Sequence, residues 1–252
     1  MTGTAPIEVI VHPDEDVLAA ATAARLLTRL VDAQSASGVA SVVLTGGGVG
    51  IKTLEAVLAS PARDAVDWSR VDVWWGDERF VAAADDERNE KQARKALLDH
   101  LPFAPERIHP MGPSDGPDGD DLEAAAARYA DELAAAAPDG SAVPHFDVLL
   151  LGMGPEGHTA SMFPDTPAAR EQERSVVGVE GCPKPPPRRI SLTRSSIAAA
   201  DEVWLVAAGD GKADAVAAAV RGAGPVEIPA AAAVGRRRSL WLLDRTAASG
   251  LG

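Results

Sequence analysis

Four short stretches hold the residue types that could carry chemistry. GMGPEGHTASMFP (Gly152–Pro164) places His158 at a glycine-turned helix start, and a histidine there suits a general base near neutral pH. GDERF (Gly76–Phe80) groups Asp77, Glu78 and Arg79, and a guanidinium can grip a phosphate or carboxylate or stabilise a developing oxyanion. TGGGVGIKT (Thr45–Thr53) nearly matches the P-loop G-x-x-x-x-G-K-S/T, but counting from Gly46 the required second glycine is Ile51. What survives is a glycine turn whose bare N–H groups and helix dipole favour a phosphate, with a plain tight turn as the competing reading. Two further cations stand in similar settings: Arg189 in the short strand RRISLT, and Lys212 in GDGKAD, where a lysine at a helix amino terminus opposes the dipole and hints at a ligand.

The glycines of GMGPEG satisfy the dinucleotide fingerprint G-x-G-x-x-G, yet the context disagrees. The pattern lies past mid-chain, and any helix starting near Gly157 meets Pro164 within about two turns. No H-E-x-x-H or Cys/His spacing supports a metal, and no G-x-S-x-G elbow supports a serine hydrolase. The other histidines, His12, His100, His109 and His145, lie in less suggestive settings, and RRR (Arg236–Arg238) reads as a solvated turn.

The elements that must position these residues alternate strand and helix. IEVIV (Ile7–Val11), VASVVLT (Val39–Thr45), VDVWW (Val71–Trp75), FDVLLLG, EVWLVAAG and SLWLLD are apolar runs that fit strands buried on both faces. Helices are expected at Asp14–Val31, in IKTLEAVLAS, at Glu87–His100 and at Asp121–Ala137. The predicted fold class is α/β: one Rossmann-like layered domain over residues 1–252, with a mostly parallel sheet flanked by helices. PSDGPDGDD and CPKPPP are loops too short to separate domains. TGGGVG, GMGPEGHT, AAGDGKAD and GDERF, the last read as a loop ending VDVWW, all follow predicted strands, where ligands of parallel sheets sit.

Composition limits the partners. With 37 acidic against 24 basic residues the formal net charge is −13, which disfavours nucleic acid and anionic membranes as partners. An anionic substrate therefore needs a local cluster of Arg, Lys and backbone N–H groups. The single cysteine, Cys182, excludes an internal disulfide. The start MTGTAPIEVIV lacks the pattern of a secretory leader, so a cytoplasmic location is expected.

Together these motifs resemble one family, the 6-phosphogluconolactonases, within the broader sugar-phosphate isomerase/deaminase superfamily. LTGGGVG is similar to the family's L-S-G-G-S/T-x-P, WWGDERFV to W-W/G-D-E-R-x-V, and LLLGMGPEGHTASMFP to L-G-M-G-x-D-G-H-T-A-S-L-F-P. Asn89, RRISLT, GDGKAD and WLLDRTAA fall where the family has similar segments. The resemblance implies hydrolysis of 6-phospho-D-glucono-1,5-lactone to 6-phosphogluconate in the oxidative pentose phosphate pathway, without metal or organic cofactor. It implies His158 as the base that activates water, Arg79 facing either phosphate or carbonyl, and Asp77 as an orienting group. It also implies an anion pocket of Thr45, Gly46, Gly47, Gly48, Arg189 and Lys212. The partner would be a small sugar-phosphate lactone, and the chain a monomer or small homo-oligomer.

Three departures bear on pocket detail. Gly48 replaces the family's hydroxyl residue, Gly50 replaces a loop proline and should loosen the turn, and Glu156 replaces an aspartate. The nearest rival is a glucosamine-6-phosphate deaminase, whose loop resembles G-x-G-x-x-G-H-I-A-F-N-E-P with a glutamate that helps open the sugar ring. Here that stretch is HTASMFP, without the acid. A non-catalytic sugar-phosphate sensor would carry a helix-turn-helix segment or a basic arm, and the chain shows neither.

Overall fold

The apolar runs line up as a six-stranded sheet in which every neighbouring pair is parallel. The computed structural model describes residues 6–251, so Met1–Ala5 of the start read for a leader lie outside the described residues. In chain order the elements are β1 (Ile7–His12), α1 (Glu15–Ser37), β2 (Ala40–Leu44), α2 (Gly48–Ala59), β3 (Val71–Trp75), β4 (Asp77–Arg79), α3 (Asn89–Ala96) and α4 (Leu122–Ala136). They continue with β5 (Val148–Leu151), α5 (Pro167–Arg170), β6 (Val176–Val179), β7 (Arg189–Leu192), α6 (Arg194–Ala198), β8 (Glu202–Ala207), α7 (Ala213–Val220) and β9 (Arg238–Asp244). The main sheet runs β1-β9-β8-β5-β2-β3.

Burial follows the sequence pattern. β2 and β5 are buried at every position, as strands covered on both faces must be. Trp74, Trp75, Trp204 and Trp241 are fully buried and add bulk that the alanine-rich helices lack. The first helix runs past its expected end to Ser37, because Ala33 keeps the buried stripe of Leu18, Leu26 and Leu30 in phase. Asp14 caps its start by accepting the Val17 N–H at 2.9 Å, and Gly38, at φ 81°, ends it. The expected helix over Glu87–His100 contracts to α3, followed by a tight 3-10 turn over Leu98–His100.

A second, antiparallel sheet runs β4-β7-β6, and of its strands the sequence marks only β7, in RRISLT. GDERF is therefore no loop: Asp77–Arg79 pair with Arg189–Ser191. Three charged residues have no strand signature, and only the partner strand's hydrogen bonds make them one. Of the RRR segment, Arg236 and Arg237 lie exposed in a bend, as a solvated turn requires, and also pair with the buried Asp201, whereas Arg238 opens β9 and pairs with Glu8. Among the described residues no helix is long and apolar enough to cross a membrane.

Strand order decides where a site can form. From β2 the chain goes to β3 on one side, while β5 on the other side leads on to β8 and β9. The connections therefore diverge above β2 and β5, which leaves a crevice at their carboxyl ends.

Candidate active site

The loops leaving β2 and β5 are joined across that crevice, where the Gly152 N–H donates to Thr45 Oγ1 at 3.2 Å. Gly47 turns the chain at φ 85°, so that α2 begins at Gly48, three residues before its expected start at Ile51. The first N–H groups of this 12-residue helix have no helical acceptor, and Gly46–Val49 face the cleft. Gly50 is no loop residue but lies buried in the first turn of α2, where a Cβ would stand 2.9 Å from Thr45 O.

The opposite wall is β4. Side chains alternate across a strand, so Asp77 and Arg79 line the cleft and Glu78 points behind it. Glu78 is fully buried and accepts the N–H groups of Arg79, Asn89 and Glu90 at 2.8, 2.7 and 2.8 Å. It thus caps α3 from outside the helix. Burial pushes its carboxyl up to about 7, against the downward pull of Arg88 and those donors. Asn89, the first residue of α3, donates from Nδ2 to Asp77 O at 2.8 Å. Its Oδ1, buried and without a hydrogen-bond partner, would meet a Cβ on Gly46 at 1.9 Å, so only glycine fits there.

His158 rises from the floor between these walls. No helix follows it, contrary to the expectation of a helix start: residues 154–163 form successive turns, with Ala160 held at φ 48°. Internal bonds fix their course. Gly157 sits at φ 87°, and Thr159 Oγ1 donates to Gly152 O at 2.8 Å. Ser161 Oγ donates to Asp77 Oδ2 at 2.7 Å. The imidazole stacks on Phe163 with centroids 4.4 Å apart. Its Nδ1 lies 3.1 Å from Glu156 Oε1, an ion-pair distance whose angle is too oblique for a hydrogen bond. Burial holds the imidazole below the usual histidine range, reinforced by Lys184 and opposed by Glu156 and Asp77.

Cations complete the rim. Arg189 is 5% exposed and lies directly across the strand pair from Arg79, a like-charge pairing that an anion between them would relieve. Its Nε and Nη2 donate to the carbonyls of Pro186, Lys184 and Pro185, and its guanidinium lies 5.7 Å from the Phe163 ring centroid. Arg79 Nη1 donates to Glu87 O, and its buried Nε has no hydrogen-bond partner. Lys212 stands at the N-cap of α7, as expected, and donates to Ala208 O at 3.1 Å.

Thr45, Gly46, Gly47, Gly48, Asp77, Arg79, His158, Arg189 and Lys212 thus all line one cleft of about 480 Å³. Asn89 and Lys184 line it as well. Asn89 carried only a family signal in the sequence, and Lys184 none beyond being the one cation inside a proline-rich loop.

The arrangement suits a base beside a cationic pocket. A dinucleotide is disfavoured, because the glycine fingerprint leads into turns and offers no helix end for a pyrophosphate. Among the described residues the one trio with metal-binding geometry, His145, Asp147 and Asp201, lies at the other end of the strands. Arg29, Arg236 and Arg237 already pair with its carboxylates.

The family model described as glucosamine-6-phosphate isomerases/6-phosphogluconolactonase matches residues 13–241. A 6-phosphogluconolactonase of Streptomyces coelicolor is 60% identical over 246 residues, 97% of this chain and 94% of that protein. One from Mycobacterium tuberculosis is 54% identical over 241 residues, 96% of this chain and 97% of that protein. The solved 6-phosphogluconolactonase of Trypanosoma brucei superposes with a TM-score of 0.81 at 27% identity, covering 99% of this chain and all of that one. A monomeric glucosamine-6-phosphate deaminase shares the fold at 19% identity, with a TM-score of 0.79 over 96% of this chain and 99% of that one. The chain belongs to the glucosamine-6-phosphate isomerase/6-phosphogluconolactonase family.

Proposed function

We propose that this chain hydrolyses 6-phospho-D-glucono-1,5-lactone to 6-phosphogluconate, with His158 as general base. One observation carries the choice within the family. The position that holds a ring-opening glutamate in deaminase-like loops is Phe163, which is 2% exposed and stacked against His158. That wall offers no acid for aldose–ketose chemistry. It gives the imidazole a dry apolar face, and burial keeps it neutral and able to accept a proton.

In this reading a water loses a proton to His158 as its oxygen bonds to C1. The carbonyl electrons move to oxygen, and the cations of the rim stabilise the oxyanion. The C1–O5 bond then breaks and O5 takes the proton back from His158. The N–H groups at the start of α2, with Arg189 and Lys212, hold the phosphate. Asp77, tied to Ser161 and Asn89, keeps the two walls in register. The proposal takes residues 1–252 as one cytoplasmic domain, a monomer or small homo-oligomer, with a small sugar phosphate as its partner and neither nucleic acid nor membrane.

The test is a coupled assay on freshly made lactone, with glucosamine 6-phosphate as the competing substrate. Turnover above spontaneous lactone hydrolysis, with no ammonia released from the amino sugar, is the expected result. Ammonia release would move the assignment to a deaminase.

A further inference from the structure

Lys184 has no part in the roles given so far, yet its surroundings place it with care. Its loop is closed by the Cys182 N–H donating to Pro187 O at 2.9 Å. Three consecutive carbonyls, those of Lys184, Pro185 and Pro186, accept from the buried Arg189 guanidinium. Prolines restrict the same backbone. A lysine on so fixed a support has its reach defined. Its Nζ donates to Glu156 Oε2 at 3.1 Å, while Glu156 Oε1 lies 3.1 Å from His158 Nδ1. One carboxylate therefore lies between the two, hydrogen-bonded to the ammonium and close to the imidazole. The Lys184 side chain is 42% exposed, and an ammonium carries three donors of which Glu156 takes one.

Building on the lactone-hydrolase reading, we propose that Lys184 contacts the substrate at C1, meeting first the oxyanion of the tetrahedral intermediate and then the carboxylate of the product. The base must lie within hydrogen-bond reach of the water that attacks C1, directly or through the water itself, so C1 sits beside His158. The phosphate hangs from C6, at the far end of the carbon chain. A cation one carboxylate away from the base is thus at the C1 end. It also answers a local problem, since the Glu156 and Asp77 carboxylates near the imidazole would otherwise repel the charge developing on the carbonyl oxygen.

The test separates the two ends of the ligand by calorimetry with 6-phosphogluconate and with glucitol 6-phosphate, which keeps the phosphate but has a neutral C1. Wild-type protein is expected to prefer the carboxylate. Lys184→Met should weaken 6-phosphogluconate by about 10-fold, the loss of one charge-assisted hydrogen bond, and leave glucitol 6-phosphate within about 2-fold. Its kcat should fall by ~10- to 100-fold with KM nearly unchanged, and Lys184→Arg should recover part of the loss. Equal weakening of both ligands would make Lys184 a phosphate ligand and overturn the assignment. An unchanged preference would reduce it to a structural contact. Wild-type protein without lactone turnover would instead defeat the reading on which the inference rests.

Discussion

A Cβ placed on Gly154 would stand 2.0 Å from His158 Nδ1 and 2.7 Å from Glu156 Oε2. The imidazole therefore occupies the space that any other residue at position 154 would fill. Gly154 also donates its N–H to His158 O at 2.9 Å, so backbone and side chain meet at one spot. We expect Gly154→Ala to push the ring out of the cleft and lower kcat by at least ~10²-fold, the scale of a displaced general base. The melting temperature should change little, because position 154 is buried against the histidine rather than in the main core. A variant with full activity would show that the ring has freedom the packing denies it.

For His158→Ala the expected fall in kcat is ~10²- to 10⁴-fold. The pH dependence has a definite sign. The neutral imidazole is the active form, so kcat/KM should rise with pH and level off. Burial holds His158 low, so the inflection should lie below the ordinary value of about 6.5. A rate profile of the wild-type protein checks this, and an inflection above that value would assign the limb to another group.

Glu78 should matter more than its hidden position suggests. Glu78→Ala removes the acceptor of three backbone N–H groups and leaves the buried Arg88 without its nearest fully buried carboxylate, 3.7 Å away. Arg88 keeps Glu90 Oε2 at 3.3 Å and Met111 O at 2.7 Å, so the main cost is that of the backbone N–H groups left without an acceptor, about 1–3 kcal/mol for each that stays buried. Activity should fall along with stability, because the same bonds hold Arg79 and Asn89 at the cleft wall. Urea unfolding and lactone turnover on the same preparation test both halves.

His109 sets a pH dependence of stability away from the cleft. Burial pulls this imidazole down, but contacts with Asp72 and Glu132 outweigh it and carry the group up to about 9. The folded value lies above the unfolded one. The extra stability is therefore complete below pH ~6.5 and lost as pH rises through about 9. Solvent screens part of it, which leaves on the order of 1–2 kcal/mol. His109→Phe keeps an aromatic ring over Trp74, now stacked at 3.8 Å, and should flatten that decline in unfolding measured across the alkaline range.

Much of the site was legible because its signals are local. The run from Gly152 to Pro164 carries its turn glycines, its histidine and its buried Met162 and Phe163 within one short segment. The glycine turn after β2 and Lys212 at the start of α7 are local in the same sense. Asp77–Arg79 read as a loop because a three-residue charged strand exists only by virtue of its pairing with Arg189–Ser191, more than 100 residues away. Lys184 sat in a loop identified by its prolines, and its meeting with Glu156 depends on how Arg189 holds that loop. Arg236 and Arg237 are exposed as their run suggests, but their pairing with the buried Asp201 has no local trace because Asp201 is distant in sequence.

By itself the sequence determined the layered α/β class, the strands buried on both faces and the loops at strand ends that could carry chemistry, because hydrophobic period, glycine turns and caps act over a few residues. Only the tertiary structure decided that Thr45, Asp77, His158, Arg189 and Lys212 share one cleft. That convergence follows from β2 pairing with β5 and from β4 pairing with β7, which brings Asp77, Arg79 and Arg189 to the same cleft, and both are long-range pairings with no local trace. The same pairings made Glu78 a support instead of a surface charge, and set the Lys184 ammonium beside the base.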